Sequence, residues 1–173
     1  MSLIGRCSLP RALVSATLLS AMVSAQASAL SEAAIEEIEQ ACETLVMDYA
    51  RHRDQSRGVA LAQLFTQDAE LSVNGETFTG RKALLARFEA PAAKRFRHMM
   101  SNVRVTVTDH RQATGVSYAL IFVGPIDARN PDAPITVSNF VAMGEYHDIF
   151  ELTDAGWRIA SRRFVPAFLV DAQ

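Results

Sequence analysis

Two residues far apart in the chain have the types required for acid–base chemistry. Asp54 lies where an amphipathic segment ends, and His98 lies much later, in Arg97-His98-Met99-Met100. Histidine is the side chain that changes protonation near neutral pH without special help. A carboxylate bonded to one ring nitrogen would fix the tautomer and raise the basicity of the other nitrogen. We therefore hypothesise that the fold brings Asp54 and His98 together at the mouth of one pocket, as an acid–base pair.

Each of these two residues also has an ordinary interpretation. His98 follows the basic segment 94–97, so it fits a surface histidine beside a solvated loop. Asp54 fits a loop-forming residue after a helix. A carboxylate at that place is unfavourable to the helix dipole, however, and its position calls for another reason. Pairing with His98 would supply that reason.

Two further polar positions are candidates for stabilising charge on a substrate. The Tyr49 hydroxyl could donate to a developing negative charge on a substrate oxygen, with a core tyrosine as the alternative. Arg162 and Arg163 are adjacent on the last predicted strand, and successive strand residues face opposite ways. Only one of them can point inward, and we assign that role to Arg162, with the choice between the two left open.

Three more residues are predicted to contact the substrate, namely His147, Met100 and Tyr118. No metal is expected, because the four histidines lack paired ligand spacing and no cysteine pair is present after the first segment. No glycine-rich phosphate loop and no G-x-S-x-G turn occurs. A cofactor-free pocket for a small-molecule substrate is the simplest interpretation.

The first 29 residues predict an export signal rather than part of the fold. Arg6 and Arg11 precede an apolar run over 12–25, which ends in two overlapping A-x-A cleavage patterns near Ala27 and Ala29. The run is short for a membrane span, and an uncleaved anchor is the alternative. We expect 1–29 to be a signal peptide, 30–173 to be the domain, and the mature protein to be periplasmic or secreted without stable membrane association.

The composition favours a single ordinary domain that holds itself together through its core. The chain has 173 residues and a formal net charge of −2. Cys42 is the one cysteine left after the predicted cleavage, so no internal disulfide can form, and its place on the apolar stripe indicates a buried small residue. The basic residues are dispersed apart from 94–97, which we interpret as a solvated loop, so no nucleic-acid partner is expected.

The predicted elements are helices first and strands afterwards. Apolar residues at helical spacing predict a long helix from about Ser31 to Arg53, a short one over 59–65, and a third over 81–89. Asn74-Gly75 predicts a hairpin between them. Four long strands follow, over 102–108, 112–123, 135–151 and 157–165, with Gly144 as a bend or bulge. This order indicates an α+β fold with helices on one face of a curved sheet and a pocket at its open end.

Several short motifs, in their order and spacing, resemble the SnoaL-like branch of the nuclear-transport-factor-2-like superfamily. The resemblance covers about residues 35–165 and implies a cone-shaped α+β barrel, with a curved antiparallel sheet wrapped around a long N-terminal helix. The motifs are Tyr49-x4-Asp54, Leu61-x2-Leu64-Phe65-x2-Asp68-Ala69, Phe78-x-Gly80-Arg81, His98-x3-Asn102-Val103, Gly144-x-Tyr146-x-Asp148 and Gly156-Trp157-Arg158-Ile159-x2-Arg162.

What the resemblance implies is a lyase without a cofactor. Scytalone dehydratase, bile acid 7α-dehydratase and hexachlorocyclohexane dehydrochlorinase use an Asp–His pair, and Asp54 and His98 fall on those two positions; Tyr49 and Arg162 match the tyrosine and arginine of the bile acid enzyme. A similar member releases formaldehyde from lignin-derived diarylpropanes. The expected substrate is a small, mostly apolar, oxygenated molecule, with lignin-derived aromatics as one class.

Two other functions stay open from the sequence. One is a non-catalytic periplasmic small-molecule-binding or interaction domain of the same fold, and the other is an isomerase that moves a proton without loss of mass. Fold alone does not decide between them. Relatives also imply a homodimer or homotrimer formed through the open face of the sheet.

Overall fold

The computed structural model describes residues 30–89 and 93–170. The predicted signal peptide, 1–29, lies outside the described residues. Helix α1 spans Glu32–Asp54, and the Ser31 hydroxyl caps it by accepting a hydrogen bond from the Ala34 backbone N–H at 3.2 Å. Within the described ranges, no helix is long and apolar enough to cross a membrane.

Two short helices and six strands follow α1. Helix α2 is Gly58–Gln63 and α3 is Arg81–Glu89. The strands are β1 Phe65–Val73, β2 Glu76–Thr79, β3 Lys94–Val107, β4 Gln112–Pro125, β5 Ala142–Thr153 and β6 Gly156–Leu169. They form one curved, unclosed sheet in the order β2-β1-β6-β5-β4-β3. This confirms the predicted α+β class, with one refinement: β1 and β6 run parallel, whereas all other neighbours are antiparallel.

Helix α1 lies across the inner face of the sheet and supplies most of one side of the core. Its buried residues recur at helical spacing, so that one stripe faces the strands while Glu and Arg face water. They are Ile38, Cys42, Leu45, Val46, Tyr49 and Ala50. This stripe packs in one cluster with sheet residues that include Phe65, Tyr146 and Phe150. The last turn of α1 consequently ends beside β3.

Strand β3 is longer than the sequence predicts. Asn102 has a positive φ of 49°, and the pairing register with β4 shifts between Ser101 and Arg104. This irregularity is a β-bulge, which interrupts the alternation of side chains and hides the first half of the strand from pattern analysis. The predicted loop over 94–97 is therefore wrong: these residues are paired with β4, and His98 lies inside the strand rather than at its start.

Two other predicted boundaries are also wrong. Phe65 belongs to β1 rather than to the second helix, and its side chain is fully buried. Strand β5 starts at Ala142 rather than at Ile135. Ile135 and Val137 are apolar because they pack over Gly124 of β4, where a side chain would collide with Ile135, and not because they pair in the sheet. The predicted bulge at Gly144 is confirmed by a register shift between Met143 and Gly144.

The outer face of the sheet carries several large apolar residues that are exposed. They include Met99, Ile149, Val165 and Phe168. Such a surface is compatible with association between copies of the chain. The homodimer or homotrimer stays a prediction.

Candidate active site

The structure brings Asp54 and His98 into direct contact. Asp54 Oδ1 lies 2.6 Å from His98 Nδ1, and Asp54 Oδ2 accepts the backbone N–H of the same residue at 2.9 Å. Both carboxylate oxygens are therefore engaged by one residue. An ionised carboxylate can only accept, so Nδ1 carries the proton in this contact and Nε2 of a neutral ring is left with its lone pair.

The position of this pair follows from the two elements that carry it. Asp54 is the last residue of α1, and His98 lies on the inner face of β3, against which the end of the helix packs. The pair is nearly removed from solvent, because the His98 side chain is 4% exposed and that of Asp54 is 12% exposed. Low exposure strengthens a charge-assisted hydrogen bond, and the contact holds the imidazole in one orientation.

His98 forms part of the wall of a cavity of about 700 Å³. No hydrogen-bond partner for its Nε2 is found among the described residues, so this nitrogen is available to a molecule in the cavity. Most of the wall is apolar or aromatic, as in pockets for small organic molecules. Its lining residues are Tyr49, Arg53, Val73, Asn74, Arg87, Lys94, Phe96, His98, Ile121, Val123, Gly124, Pro125, Val141, Ala142, Tyr146 and Phe164.

Two tyrosines stand beside His98 in this wall. Tyr49 comes from α1 with its ring 6.4 Å from the His98 ring, and Tyr146 comes from β5 with its ring 5.6 Å from that of Tyr49. Burial raises the pKa of Tyr146 well above its ordinary value, and the adjacent Tyr49 raises it further. Tyr146 is thus a neutral hydroxyl, able to donate a hydrogen bond.

Arg162 lies behind these tyrosines and does not line the cavity. Its Nε and Nη2 donate to the two oxygens of Asp148, each at 2.7 Å, and both side chains are fully buried. Its guanidinium carbon is 4.2 Å from the Tyr49 ring centre and 4.6 Å from that of Tyr146. Burial alone would lower the pKa of Arg162, but the Asp148 charge and hydrogen bonds outweigh it and raise the pKa. Of the two arginines, Arg162 is the inward one and Arg163 is exposed.

The family model described as "SnoaL-like domain" matches residues 34–163. The chain belongs to the SnoaL-like domain family. This match covers most of the chain, including α1, Asp54, His98 and the sheet up to β6. The predicted resemblance is therefore confirmed at the level of the family. None of the functionally curated proteins matches the chain.

Solved structures with this SnoaL-like fold are numerous. A variant of Rv3472 from Mycobacterium tuberculosis, a protein of unknown function, is 28% identical, with a TM-score of 0.63 over 76% of this chain and 72% of its own. A candidate scytalone dehydratase from Novosphingobium aromaticivorans is 23% identical, with a TM-score of 0.64 over 78% and 87%. Hexachlorocyclohexane dehydrochlorinase LinA-type3 from Novosphingobium barchaimii is 18% identical, with a TM-score of 0.66 over 81% and 93%.

The three residues predicted to contact substrate lie away from the cavity of this SnoaL-like domain. Met100 is on the inner face of β3 but packs against the core. His147 lies on the outer face, where its Nε2 is 2.9 Å from Glu145 Oε2, and Tyr118 is also outside and 37% exposed. Strand alternation explains both placements, since their neighbours Tyr146 and Ser117 point inward.

Tyr146 is one of several cavity residues that the sequence analysis did not single out as site residues. It stands in the motif Gly144-x-Tyr146-x-Asp148, whose alternating members are all buried. The spacing of that motif places its three named residues on one face of a strand, and Asp148, an acid on a strand, was the available sign that this face points inward. Choosing His147 instead selected the opposite face.

Other reactive groups of the domain are not placed for chemistry. Cys42 is fully buried in the core, and burial raises the pKa of its thiol to about 12, with the Asp148 charge adding to the effect. Within residues 30–89 and 93–170, no three His, Cys, Asp or Glu side chains are grouped so that they could hold a metal ion. The cofactor-free site remains an expectation.

Proposed function

We propose that this SnoaL-like domain is a cofactor-independent lyase in which His98 is the general base. The observation that carries the proposal is the Asp54–His98 pair beside the cavity, with Nδ1 held at 2.6 Å by the carboxylate and Nε2 without a partner among the described residues. A base positioned in this way contributes on the order of 10² to 10⁴-fold to a rate. The mostly apolar wall supports a small, apolar, oxygenated substrate, with aromatic compounds as one class.

The reaction proposed is an elimination across two neighbouring carbons. His98 Nε2 takes a proton from one carbon, and the electron pair of that C–H bond becomes the new C=C bond. The leaving hydroxyl group departs from the next carbon with its bonding pair and takes up a proton from solvent, so that water is released. The imidazolium formed on His98 is stabilised by the Asp54 carboxylate and then returns its proton to solvent, so that no proton is consumed overall.

Tyr49 is the proposed donor to the leaving oxygen. It lines the cavity and its ring is 6.4 Å from the His98 ring, so the two side chains can contact the same molecule in the cavity. Arg162 acts indirectly: its guanidinium group lies over the ring faces of Tyr49 and Tyr146 and holds both rings in place. Under this proposal Arg162 is a positioning residue, in place of the direct contact that the sequence suggested.

Two of the structural neighbours are named for reactions of this class. A dehydratase removes water and a dehydrochlorinase removes hydrogen chloride, and the proteins of those names share this fold. At their level of identity the likeness supports the fold, and the Asp54–His98 geometry supports the chemistry. Release of formaldehyde by carbon–carbon cleavage is the related reaction that the same base would serve.

The test is a mass-spectrometric screen of aromatic and terpenoid alcohols. The purified protein and its His98→Ala variant are incubated with each compound, and products are searched for loss of water or of formaldehyde. We expect at least one compound to lose water with the wild-type protein and to remain intact with His98→Ala, while both proteins unfold in a cooperative thermal transition. Turnover that is undiminished in His98→Ala would remove the proposed mechanism, and rearrangement without mass change would identify an isomerase.

We further propose that the substrate is met outside the cytoplasm. The predicted signal peptide over 1–29 supports this, because the charged start, apolar run and A-x-A patterns are typical of export. N-terminal sequencing of the protein from fractionated cells tests it. The expected mature protein starts shortly after Ala27 or Ala29, and an intact start at Met1 in the cytoplasm would contradict export.

A further inference from the structure

The cavity that His98 lines contains three positive side chains and no negative one among the described residues. Arg53, Arg87 and Lys94 belong to its wall, whereas no Asp or Glu does. Lys94 is exposed and can be fully hydrated, but Arg53 and Arg87 are both half-buried. Within residues 30–89 and 93–170, no carboxylate lies within ion-pair distance of Arg53 or Arg87.

Arg53 is held so that its donor edges remain available. Its guanidinium carbon lies 3.9 Å from the centre of the Phe96 ring, a stacked contact that uses the flat face of the group. Burial lowers the pKa of Arg53 and the charge of Arg87 lowers it too, whereas Tyr49, Tyr146 and the Asp54 carboxylate act in the opposite direction. Arginine still stays protonated in proteins, so the like charges of the two guanidinium groups repel each other.

Arg162 shows how the same fold treats an arginine that serves the structure. That side chain is fully buried, and its charge is matched by both oxygens of Asp148. Arg53 and Arg87 lose water contact without receiving such a partner among the described residues. An arrangement of converging, partly desolvated guanidinium groups favours binding of an anion from outside.

We infer that the substrate carries a carboxylate or a similar compact anionic group, which binds between Arg53 and Arg87 while its reacting carbon faces His98. This inference rests on the proposed function, because it assigns the substrate class of that site. A planar carboxylate matches the paired N–H donors of a guanidinium group. The Phe96 ring contacts the Arg53 guanidinium group. It also lies 6.3 Å from the His98 ring and is nearly parallel to it. Because the rest of the cavity wall is mostly apolar or aromatic, the substrate is an acid with an apolar body, for example an aromatic acid.

The test compares two probes that differ in charge alone. Binding of 2-naphthoate and of its neutral analogue 2-naphthamide is measured by isothermal titration calorimetry, at low salt. We expect the wild-type protein to bind naphthoate about tenfold more tightly, as for a single charged hydrogen-bonded contact. Arg53→Met and Arg87→Met keep most of the side-chain length and should each remove most of that preference, whereas Arg53→Lys should retain part of it.

Arg51→Met is the matched control. Arg51 lies on the same turn of α1 as Arg53, but it is exposed, pairs with Asp48 at 2.9 Å and does not line the cavity. It should leave the preference for naphthoate unchanged. Melting temperatures of all variants establish that each protein is folded, and raising the salt concentration should reduce the preference in the wild-type protein.

Three results would overturn the inference: equal binding of the two probes, binding of neither probe, or a preference for naphthoate that survives in both methionine variants. The measurement involves no turnover, so it is separate from the test of the lyase. A preference for naphthoate in a protein that converts no compound would retain the anion site and reject the lyase. Turnover of neutral alcohols by a protein with no preference for naphthoate would retain the lyase and reject the anion site.

Discussion

Two acid–base pairs lie next to the cavity, and they differ in what each leaves free. Asp148 binds Arg162 through both of its oxygens, at 2.7 Å each, and neither side chain reaches any solvent. Asp54 also uses both oxygens, but its partner His98 lines the cavity and has no hydrogen-bond partner for Nε2 among the described residues. In the first pair, both carboxylate oxygens are occupied by the arginine. The second pair has an unused basic atom.

The two pairs are suited to different roles, the Asp148–Arg162 pair to positioning and the Asp54–His98 pair to proton transfer. A buried bidentate pair needs both partners to offset the cost of removing two charges from water. Both Asp148 oxygens are occupied by Arg162, and Arg162 Nη1, the donor left without a partner among the described residues, is itself buried. The Asp54–His98 pair is partly open, and histidine can exchange its proton at neutral pH. Under the proposed function, the Asp148 carboxylate therefore fixes the framework, and the Asp54 carboxylate prepares a base.

Asp54→Asn should have the largest effect on catalysis. The shape is conserved, but the amide can donate to Nδ1 and favour the tautomer in which Nε2 holds the proton, so that the base is lost. We expect turnover to fall on the order of 10² to 10⁴-fold, with little change in melting temperature. A kinetic assay with any substrate found in the screen provides the measurement. Asp148→Asn, in contrast, should act mainly on stability.

Arg162→Met should have the largest effect on stability. It leaves the Asp148 carboxylate buried without its partner, which costs about 3–5 kcal/mol of unfolding free energy. Urea denaturation measures the loss. The double variant Arg162→Met/Asp148→Leu should recover part of it, because no unpaired charge remains. If the single variant proves as stable as the wild-type protein, the Asp148–Arg162 pair does not have the structural role assigned to it.

Tyr49→Phe should have a smaller effect, mainly on catalysis. The ring and its contacts with Phe65, Tyr146 and Arg162 are kept, and only the hydroxyl is removed. The expected loss in turnover is about tenfold, which corresponds to one hydrogen bond of ~1.4 kcal/mol. Tyr118→Phe on the outer face is the matched control and should change nothing. Equal effects of the two substitutions would count against a role for the Tyr49 hydroxyl.

Cys42 offers the smallest effect, and one that sharpens the contrast between core and site. The folded thiol has a pKa of about 12, against 9.0 for a thiol exposed in the unfolded chain. Between these values the unfolded state has lost a proton that the folded state retains, so stability should fall as the pH rises above about 9. Cys42→Ala should lack this part of the pH dependence in urea titrations. In a thiol-reagent assay at pH 8, Cys42 should not react in the native protein, so the native protein and Cys42→Ala should give the same signal.

The sequence predicted the elements well where a single regular pattern determined them. The α1 stripe, the Asn74-Gly75 hairpin and α3 depend on local periodicity and turn chemistry, and the structure has them close to the expected places. Strand β3 was truncated because a bulge at Asn102 breaks the alternation. Ile135 and Val137 resembled strand residues because packing over Gly124 demands apolar side chains as well.

The site was predicted in part for a related reason. Asp54 and His98 could be selected by residue type and position, but their 2.6 Å contact depends on where the last turn of α1 meets β3. To assign His147 and Tyr118 to a face of the sheet, one must know which alternate residues of each strand point inward. One sequence does not determine this unless at least one inward residue of the strand is already known. The role of Arg162 depended on Asp148, a partner from the neighbouring strand that only the sheet register reveals.

The central claim is that Asp54 keeps the His98 ring protonated on Nδ1 and leaves Nε2 as the free base. Nitrogen-15 NMR of the histidine ring, assigned with the His98→Ala variant, measures this without any knowledge of the substrate. We expect an Nδ1–H tautomer for neutral His98, which Asp54→Asn abolishes. An Nε2–H tautomer in the wild-type protein, or a His98 signal that Asp54→Asn leaves unchanged, would contradict it.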